Sequence, residues 1–511
     1  MATIDLGSPN LELEDLKALS EPGIRIRLPK AVRTKIRSCR VAIERAVASG
    51  DTIYGVNTGF GKLAHVRIEP LRLGLLQRNL LLSHATGVGD ALPREVSKLA
   101  FALRIHSLAR GSSGVRESLI DAMVLLFNAD LIPVIPSQGS VGASGDLAPL
   151  AHMALPLIGK GEVVDAKGTA ITGAEALRRA GLEEVALAEK EGLALINGTQ
   201  IMTAIAALAL HQACLSSKAA DICCATTIEA LRASGKPFDA RVHALRPHRG
   251  QATTAANVRA LLAKSKIMAS HANCAKVQDA YSMRCAPQVH GAVKDAIAFA
   301  LQVVETEANS VTDNPLVMDD GCLLSAGNFH GQPVSQAMDF LAIGMATLAN
   351  ISERRIENLV NPDISGLPPF LAHDPGLESG FMIPQVVAAA LASENKTLAH
   401  PASVDTIPTS ANREDHVSMG PIAARHAAMV VSNTTKVLGI ELLCACQGLD
   451  CGEKLRPGVG VEAAYAVLRA EVPPLHEDRF LAPDLRLAEL LIASGNLVAK
   501  VERKVGRLAA C

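Results

Sequence analysis

The segment 139–147 (GSVGASGDL) contains a tripeptide that can become an electrophile without any added cofactor. If the backbone nitrogen of Gly145 attacks the carbonyl carbon of Ala143 and water is lost, a five-membered ring closes. Loss of the Ser144 hydroxyl as a second water then leaves an exocyclic methylene. Glycine and alanine suit the two ends because they crowd the ring closure least. The product, 4-methylidene-imidazol-5-one, is a reactive carbon acceptor.

The tripeptide Ala-Ser-Gly occurs three more times, at Ala48-Ser49-Gly50, Ala233-Ser234-Gly235 and Ala493-Ser494-Gly495. Those copies are predicted to be the ends of apolar helices, where a glycine is common. The copy at 143 lies instead in a run of small residues, and Asp146 and an apolar helical pattern follow it. The tripeptide alone is weak evidence, so the rest of the chain must support it.

Blocks along nearly the whole chain resemble the aromatic amino acid ammonia-lyase family. Besides the 139–147 segment, they are 54–61 (YGVNTGFG), 83–87 (SHATG), 192–199 (GLALINGT), 277–284 (VQDAYSMR), 314–315 (NP), 327–331 (GNFHG), 393–397 (SENKT) and 414–420 (EDHVSMG). The resemblance implies an ammonia elimination that uses the 4-methylidene-imidazol-5-one (MIO) group formed from Ala143, Ser144 and Gly145. It also implies a mainly α fold, a long-helix bundle of the ammonia-lyase/fumarase-aspartase type, with a mixed N-terminal region carrying the MIO loop.

The resemblance further implies a homotetramer in which three subunits build each active site. Abundant apolar helix surface is compatible with such an assembly. The separate signature of the fumarase/aspartase proteins, Gly-Ser-x-x-Met-Pro-x-Lys-x-Asn, is not found in this sequence.

Ammonia elimination needs a binding site for the substrate carboxylate and a base for the β-proton. By resemblance, Arg284 binds the carboxylate through a bidentate, charge-assisted pair, with Asn197 nearby. Tyr54 is the candidate base, although a phenol with a pKa near ~10 needs neighbours that favour the phenoxide. Without the motifs, Arg284 would be read as a solvated surface charge and Tyr54 as a loop residue that packs.

Further residues receive roles from the resemblance alone. Tyr281 is assigned to the catalytic group, and Gln288 maps onto a residue near the prosthetic group and substrate. Gln278 is assigned to substrate binding, and Phe329 is assigned a position beside the ring of the substrate. The block that contains Asn395, Lys396 and His400 also matches, but the sequence assigns these three no individual chemistry.

Substrate choice is predicted from Ser83-His84 and Glu414. Phenylalanine-specific relatives usually carry apolar residues at the pair and Gln in place of Glu414, and tyrosine-specific ones tend to carry His-Leu at the pair. An imidazole has one donor and one acceptor nitrogen, so a carboxylate and a histidine can satisfy it. A phenyl ring would leave the carboxylate desolvated and unpaired. The Ser-His pair with Glu resembles the histidine-specific members of the family, and this resemblance implies histidine as the substrate and trans-urocanate as the product, the first step of histidine degradation.

Composition argues against other classes of protein. The 511 residues carry a formal charge of −1 with no basic stripe, which gives no support to nucleic acid or an anionic membrane surface as a partner. The eleven cysteines show no C-x-x-C pairs and no zinc spacing, so neither a disulfide framework nor a metal site is predicted. The acidic N-terminus does not resemble a signal peptide, and a cytoplasmic location is expected.

Helical periodicity dominates the chain. Long helices are predicted over 201–233, 334–360 and 422–447, with stops at Gly235, Pro362 and Gly448. Glycine- and proline-rich connectors coincide with the motif blocks, which fits functional loops on a rigid scaffold. A domain boundary is expected near residue 200, between an N-terminal domain (1–200) with the MIO-forming loop and a helical bundle domain (201–511). The apolar window 204–215 is too short to span a bilayer.

Alternatives remain at this point. A phenylalanine or tyrosine ammonia-lyase or an aminomutase could use the same scaffold, and the distant rival is a non-catalytic helical assembly protein. Either the substrate amine or an imidazole carbon could add to the methylidene carbon, and the sequence does not choose between them.

Overall fold

The computed structural model describes residues 3–8, 10–49, 52–272 and 277–511. The chain packs into two units, each assembled from three segments. Unit 1 comprises residues 1–208, 301–338 and 401–425, and unit 2 comprises 209–300, 339–400 and 426–511. The two packing units are each made of three separate segments, so they do not test the expected domain boundary near residue 200. That boundary stays a prediction.

Long helices dominate the structure, as predicted. The four longest are Gln200–Ala230, Ala286–Ala308, Gln332–Val360 and Gly420–Cys451. The expected stop at Gly448 is wrong, because the last of these helices continues to Cys451. A Cβ at Gly448 would lie 3.1–3.4 Å from Ala230, Leu359 and Leu367, so this glycine permits close packing inside unit 2 rather than ending the helix.

Unit 1 combines helices with short strands. Its own α-helices are Leu13–Ser20, Lys30–Ala48, Leu73–His84, Arg94–Ala109, Glu117–Asn128, Leu147–Ala154, Gly173–Arg179 and Glu191–Ile196. Short 3₁₀ turns lie at Gly61–Leu63, Pro70–Arg72, Leu155–Ile158 and Ser410–Asn412. Strands Thr3–Asp5 and Arg25–Arg27 pair in parallel, and the remaining pairs are antiparallel. These are Val88–Ala91 with Pro136–Gln138, Ile132–Pro133 with Glu162–Val164, Glu162–Val164 with Ala170–Thr172, and Leu316–Val317 with Leu323–Leu324.

Unit 2 is helical in the residues that the structure describes. Besides its parts of the long helices it contains Ala240–Ala244, Arg249–Leu261, Lys266–Ser270, Tyr281–Arg284, Pro362–Ser365, Met382–Leu398, Val459–Arg469, Ala482–Ala493 and Asn496–Val505, with 3₁₀ turns at Lys236–Phe238 and Pro369–Leu371. Cys223 and Cys224 are fully buried here, as expected of small core residues.

A hydrogen-bonded ion pair is buried in the core of unit 2. The Arg355 guanidinium donates Nε and Nη2 to the two carboxylate oxygens of Glu441, at 2.5 and 2.8 Å, and neither side chain is exposed. Ser352 and Thr227 donate to the same carboxylate at 2.6 and 2.9 Å. Because removal of one partner would leave the other charge buried and unpaired, either single substitution is expected to cost about 3–5 kcal/mol of stability.

Two helices, Gln332–Val360 and Gly420–Cys451, are long and apolar enough to cross a membrane. However, 67% and 83% of their most apolar windows are buried inside the protein. Such burial is typical of the core helices of a helical protein.

The three other Ala-Ser-Gly copies lie at helix ends, as predicted. Ser49 caps Lys30–Ala48, Ala233 lies just beyond Gln200–Ala230, and Ser494 caps Ala482–Ala493. Gly495 adopts a positive φ of 73°, as a helix-ending glycine should. Gly50 lies outside the described residues.

Candidate active site

The loop around Ala143-Ser144-Gly145 requires its glycines. Gly142 and Gly145 have φ values of 68° and 69°, a region that other residues rarely adopt. A Cβ on Gly145 would lie 2.0 Å from the carbonyl oxygen of Gly198, with which Gly145 forms a β-bridge. Both the turn and this close approach therefore exclude a side chain at 145.

Residues 417–419 hold the same loop from the other side. The Ser418 hydroxyl donates to the carbonyl of Gly142 at 2.9 Å, and the Met419 amide donates to the carbonyl of Val141 at 2.8 Å. Ala143 is buried in a small apolar cluster with Val417 and Met419. The tripeptide is thus fixed by segments far apart in sequence.

Asp146 connects the loop to a helix start. Its Oδ2 accepts hydrogen bonds from the amides of Ile201 and Met202, at 2.8 and 3.0 Å, in the first turn of the helix Gln200–Ala230. Its Oδ1 is buried and has no hydrogen-bond partner in the described chain. Burial raises the pKa of Asp146 to about 7, although the two amide hydrogen bonds lower it.

This raised pKa predicts a pH-dependent stability. A carboxyl whose folded pKa lies above its unfolded value of 3.8 contributes stability at low pH, and that contribution is lost as the pH rises through about 7. Asp146→Asn keeps an acceptor oxygen and removes the charge. We expect its thermal midpoint, relative to the unsubstituted protein, to rise between about pH 4 and about pH 8.

Asp165→Asn is the control for this experiment. Asp165 is partly buried at the surface, and hydrogen bonds, first from the Thr169 amide and then from Lys167 and Arg179, lower its pKa. The stability that this lowered pKa contributes is present above about pH 3.8 and is lost only at lower pH, so the difference in thermal midpoint should stay nearly constant between about pH 4 and about pH 8. A pH-independent difference for Asp146→Asn would mean that Asp146 does not titrate in this range.

Ser144 faces a cavity of about 1020 Å³, all of whose lining residues belong to unit 1. The structure brings seven further residues of the sequence prediction to this cavity: Tyr54, Ser83, His84, Ala143, Asn197, Phe329 and Glu414. Gly145, next to Ser144, is not among the described residues that line the cavity, and its backbone pairs with Gly198.

Glu414 contacts Ser144 directly. The Ser144 hydroxyl donates to Glu414 Oε1 at 3.0 Å, and the Thr409 hydroxyl donates to Oε2 at 2.6 Å. Thr409 and Glu414 also exchange two backbone hydrogen bonds across a short antiparallel bridge. The carboxylate is thereby held at the wall of the cavity.

His84 is the last residue of the helix Leu73–His84. Its Nδ1 lies 3.0 Å from the Ser83 hydroxyl. Burial lowers the pKa of His84 below 6.5, and the backbone of Leu80 and the charge of Glu414 only partly oppose that effect. His84 is therefore neutral at neutral pH, with one donor and one acceptor nitrogen.

Tyr54 lies in the turn that opens the 54–61 block. Its hydroxyl accepts a hydrogen bond from the amide of Gly61 at 3.3 Å, and its ring meets Phe60 edge-on, with centroids 6.5 Å apart. Gly55, next in the chain, has a φ of 67°, and a Cβ there would clash with Leu193. The glycine permits the turn that directs Tyr54 into the cavity.

Asn197 ends the helix Glu191–Ile196 and is buried. Its amide nitrogen donates to Asp313 Oδ1 at 3.2 Å and to the carbonyl of Asn314 at 3.1 Å. Asp313 also forms a 2.6 Å ion pair with Lys190, and both of these side chains are fully buried. Burial would raise the pKa of Asp313, but the charges of Lys190 and Arg104 hold it below its usual value. This network fixes the side chain of Asn197.

The sequence interpretation missed four charged or titratable residues of the cavity. Arg413, Asp415 and His416 lie next to Glu414 in the chain, and His330 follows Phe329. The rings of His330 and His416 are stacked, 5.8 Å apart and 3° from parallel. The sequence could have pointed to these residues only because they are neighbours of assigned residues. Adjacency in a loop does not show which side chains reach the cavity.

The remaining sequence-predicted residues, Gln278, Tyr281, Arg284 and Gln288, belong to unit 2. Tyr281 is 69% exposed, and the Arg284 guanidinium lies over its ring, 4.6 Å from the centroid. Arg284 Nε and Gln288 Oε1 are buried atoms without a hydrogen-bond partner in the described chain. Gln278 is exposed.

The chain is similar to several known proteins. The family model "Aromatic amino acid lyase" matches residues 11–470. A histidine ammonia-lyase of Sorangium cellulosum is 53% identical, over 98% of this chain and 99% of the relative. The crystal structure of histidine ammonia-lyase from Trypanosoma cruzi matches with a TM-score of 0.92 and 42% identity, over 98% and 96% of the two chains. The tyrosine aminomutase structure from Streptomyces globisporus matches with a TM-score of 0.94 and 36% identity, over 99% and 100%.

Proposed function

Because this chain belongs to the aromatic amino acid lyase family, we propose that it is a carbon–nitrogen lyase that eliminates ammonia from L-histidine and releases trans-urocanate. One observation carries the choice of substrate. His84 and Glu414, which can pair with an imidazole, line the same cavity as Ser144. The relatives named histidine ammonia-lyase support the same choice.

The residues at 143–145 fit the MIO group that the family resemblance implies. The turn has glycine where ring closure needs an unhindered nitrogen, and the Ser144 side chain faces the cavity. Ser418 and Met419 hold the preceding residues in place. When formed, the group supplies an electron-poor carbon that activates the bound amino acid for loss of its amine.

Glu414 and His84 recognise the imidazole of the substrate in this proposal. The Glu414 carboxylate accepts a hydrogen bond from one ring nitrogen of the substrate. The neutral His84 forms a hydrogen bond with the other ring nitrogen. A phenyl ring in the same place would leave Glu414 desolvated without a partner. Phe329, at the cavity wall, packs beside the ring of the substrate.

We further propose that the substrate carboxylate is bound by residues of another subunit. Tyr281 is exposed, and Arg284 and Gln288 each have one buried polar atom without a hydrogen-bond partner in the described chain. Both features are expected of residues that complete the active site of a neighbouring subunit. Unit 2 also exposes large apolar residues: Phe299, Phe340, Ile343, Ile383 and Val386. These features support a homotetramer with shared sites, in which Gln278 also contacts substrate. Light scattering of the purified protein measures the number of copies.

Product analysis tests the proposed function. L-histidine, L-phenylalanine and L-tyrosine are supplied separately, and urocanate, the other α,β-unsaturated acids and ammonia are measured. Urocanate with equimolar ammonia from histidine alone is expected. A β-amino acid without ammonia would identify an aminomutase instead, and an α,β-unsaturated acid from phenylalanine or tyrosine would identify the alternative lyases. A cytoplasmic location stays a prediction.

His84→Leu is expected to reduce the preference for histidine. The substitution removes a polar partner of the imidazole, an effect of about 1–3 kcal/mol, or about 5- to 150-fold in the ratio of kcat/KM for histidine to that for phenylalanine. Glu414→Gln should shift the ratio in the same direction when rates are normalised to the fraction of chains with the mature prosthetic group.

His65→Leu is the matched control. His65 is exposed, contacts the Lys62 carbonyl and is not among the described residues that line the cavity. Its substitution should leave the ratio unchanged. An unchanged ratio in His84→Leu would show that His84 does not determine specificity.

A further inference from the structure

The chain just beyond His84 is short and closely bonded. Three residues join His84, the last residue of its helix, to the next strand. The Thr86 amide donates to the carbonyl of His84 at 2.8 Å, and the Gly87 amide donates to Nε2 of His152 at 3.0 Å. Because Gly87 follows His84 so closely in the chain, the place where Gly87 is held restricts the helix end that carries His84.

His152 belongs to an element next to the MIO-forming loop. It lies in the helix Leu147–Ala154, which follows that loop directly. The strand Pro136–Gln138 precedes the loop and pairs with the strand Val88–Ala91. The chain beyond His84 is therefore attached to the elements on both sides of the loop.

The backbone of Gly87 is packed closely between these two elements. A Cβ on Gly87 would lie 3.2 Å from Pro136 Cβ and 3.3 Å from His152 Cδ2. A Cβ on Gly139, which follows the strand, would lie 3.1 Å from the Gly87 Cα. Packing thus limits the movement of Gly87, and the hydrogen bond to His152 gives it a directed attachment.

The hydrogen bond from Gly87 requires a neutral imidazole at position 152. A ring nitrogen accepts only when it carries no proton, so His152 carries its single proton on Nδ1. Burial lowers the pKa of His152 below 6.5, which keeps the ring neutral at neutral pH. His152 is not among the described residues that line the cavity, so it can act on the substrate only through other residues.

We propose that His152 is a positioning residue for substrate recognition, because it holds His84, through Gly87, at a fixed place relative to the MIO-forming loop. The inference rests on the proposed function, in which His84 pairs with the imidazole of the substrate and the loop supplies the electrophile. The imidazole and the reacting carbons belong to one small molecule, so His84 and the loop must keep a matching separation. A displacement of about 1 Å in such a site can lower a rate about 10²-fold.

A double-mutant cycle tests this role. The full chain is prepared with His152→Leu, with His84→Leu and with both, and kcat/KM for urocanate formation is normalised to the fraction of chains with the mature peptide mass at 143–145. His152→Leu alone should lower kcat/KM about 3- to 100-fold, because leucine accepts no hydrogen bond. In the His84→Leu background, the same substitution should change kcat/KM less than about twofold, because the residue that His152 positions is already gone.

Two polar replacements separate the hydrogen bond from the packing. The side-chain oxygen of glutamine can take the place of Nε2 and accept from Gly87, whereas asparagine is one methylene shorter and does not reach it. His152→Gln should therefore exceed His152→Asn in normalised kcat/KM by about 3- to 12-fold, the order of one hydrogen bond. This comparison stays informative if His152→Leu does not fold.

His106→Leu is the matched control. His106 is buried in the same unit, and its Nδ1 accepts from the Gly7 amide at 3.1 Å. This is the same kind of bond, but His106 and Gly7 are not among the described residues that line the cavity. Its substitution should leave the normalised kcat/KM unchanged.

Four results would overturn the positioning role of His152. They are a normal kcat/KM in His152→Leu, an equal loss with and without His84→Leu, equal values for His152→Gln and His152→Asn, and an equal loss in His106→Leu. An unsubstituted protein that forms no urocanate from histidine would instead contradict the proposed function.

Discussion

Ser144→Ala is expected to remove nearly all lyase activity while the chain still folds. Alanine fits the space of serine but has no hydroxyl to eliminate, so no methylidene can form. The loss should exceed the roughly 10²–10⁴-fold that removal of a general base costs, since the electrophile itself is gone. The purified unsubstituted protein should weigh two water molecules less than its sequence, and the variant should lack at most the water of ring closure.

The chain offers a matched control in its other Ala-Ser-Gly copies. Ser494 caps the helix Ala482–Ala493 and donates to the Leu490 carbonyl at 2.6 Å. Ser494→Ala should therefore keep both the mature mass and the activity. Peptide mass mapping places the missing water molecules. An active protein of unmodified mass would exclude the proposed prosthetic group.

The sequence was most informative where chemistry depends on residues adjacent in the chain. The tripeptide at 143–145 needs only neighbours to form a ring, and the glycines at 142 and 145 do adopt the positive φ values that a tight turn requires. The long helices were equally accessible, because their apolar periodicity extends over many turns. Family motifs supplied His84, Asn197, Phe329 and Glu414, which the fold brings to one cavity.

Other features depend on contacts between distant segments and could not be predicted in this way. The hydrogen bond from Ser144 to Glu414 and the one from Ser418 to Gly142 each join segments more than 200 residues apart. Burial of Asp146 Oδ1 depends on the packing of the helix that begins at Gln200. Gly448 was wrongly predicted to end a helix. A glycine can also lie inside a helix where a neighbouring segment packs closely against it.

The division of site residues between two units has the same origin. Arg284 and Tyr281 belong to one unit, and Ser144 and Glu414 belong to the other. Motif reading treats all matches as members of one site. Exposure of Tyr281 and the unpartnered Nε of Arg284 are features of the folded chain, and the proposal that another subunit completes the site rests on them.

Tyr54→Phe is expected to lower kcat by about 10²–10⁴-fold, the usual effect of removing a general base. The ring and its edge contact with Phe60 remain, and the structural loss is confined to the 3.3 Å hydrogen bond from the Gly61 amide. Since the hydroxyl is proposed to act on the β-proton in the transition state, the effect should appear in kcat rather than in KM.

Two controls separate this role from a structural one. The variant must show the mature peptide mass at 143–145, because a misassembled site would also lose activity. Tyr465→Phe removes another of the three tyrosine hydroxyls, one that donates to Asp450 at 2.6 Å in unit 2, and should leave kcat unchanged. If Tyr54→Phe keeps near-normal kcat with the mature mass present, another group takes the β-proton. In that case we would infer that the turn at Tyr54 covers the cavity. Tyr54→Phe would then be expected to raise KM.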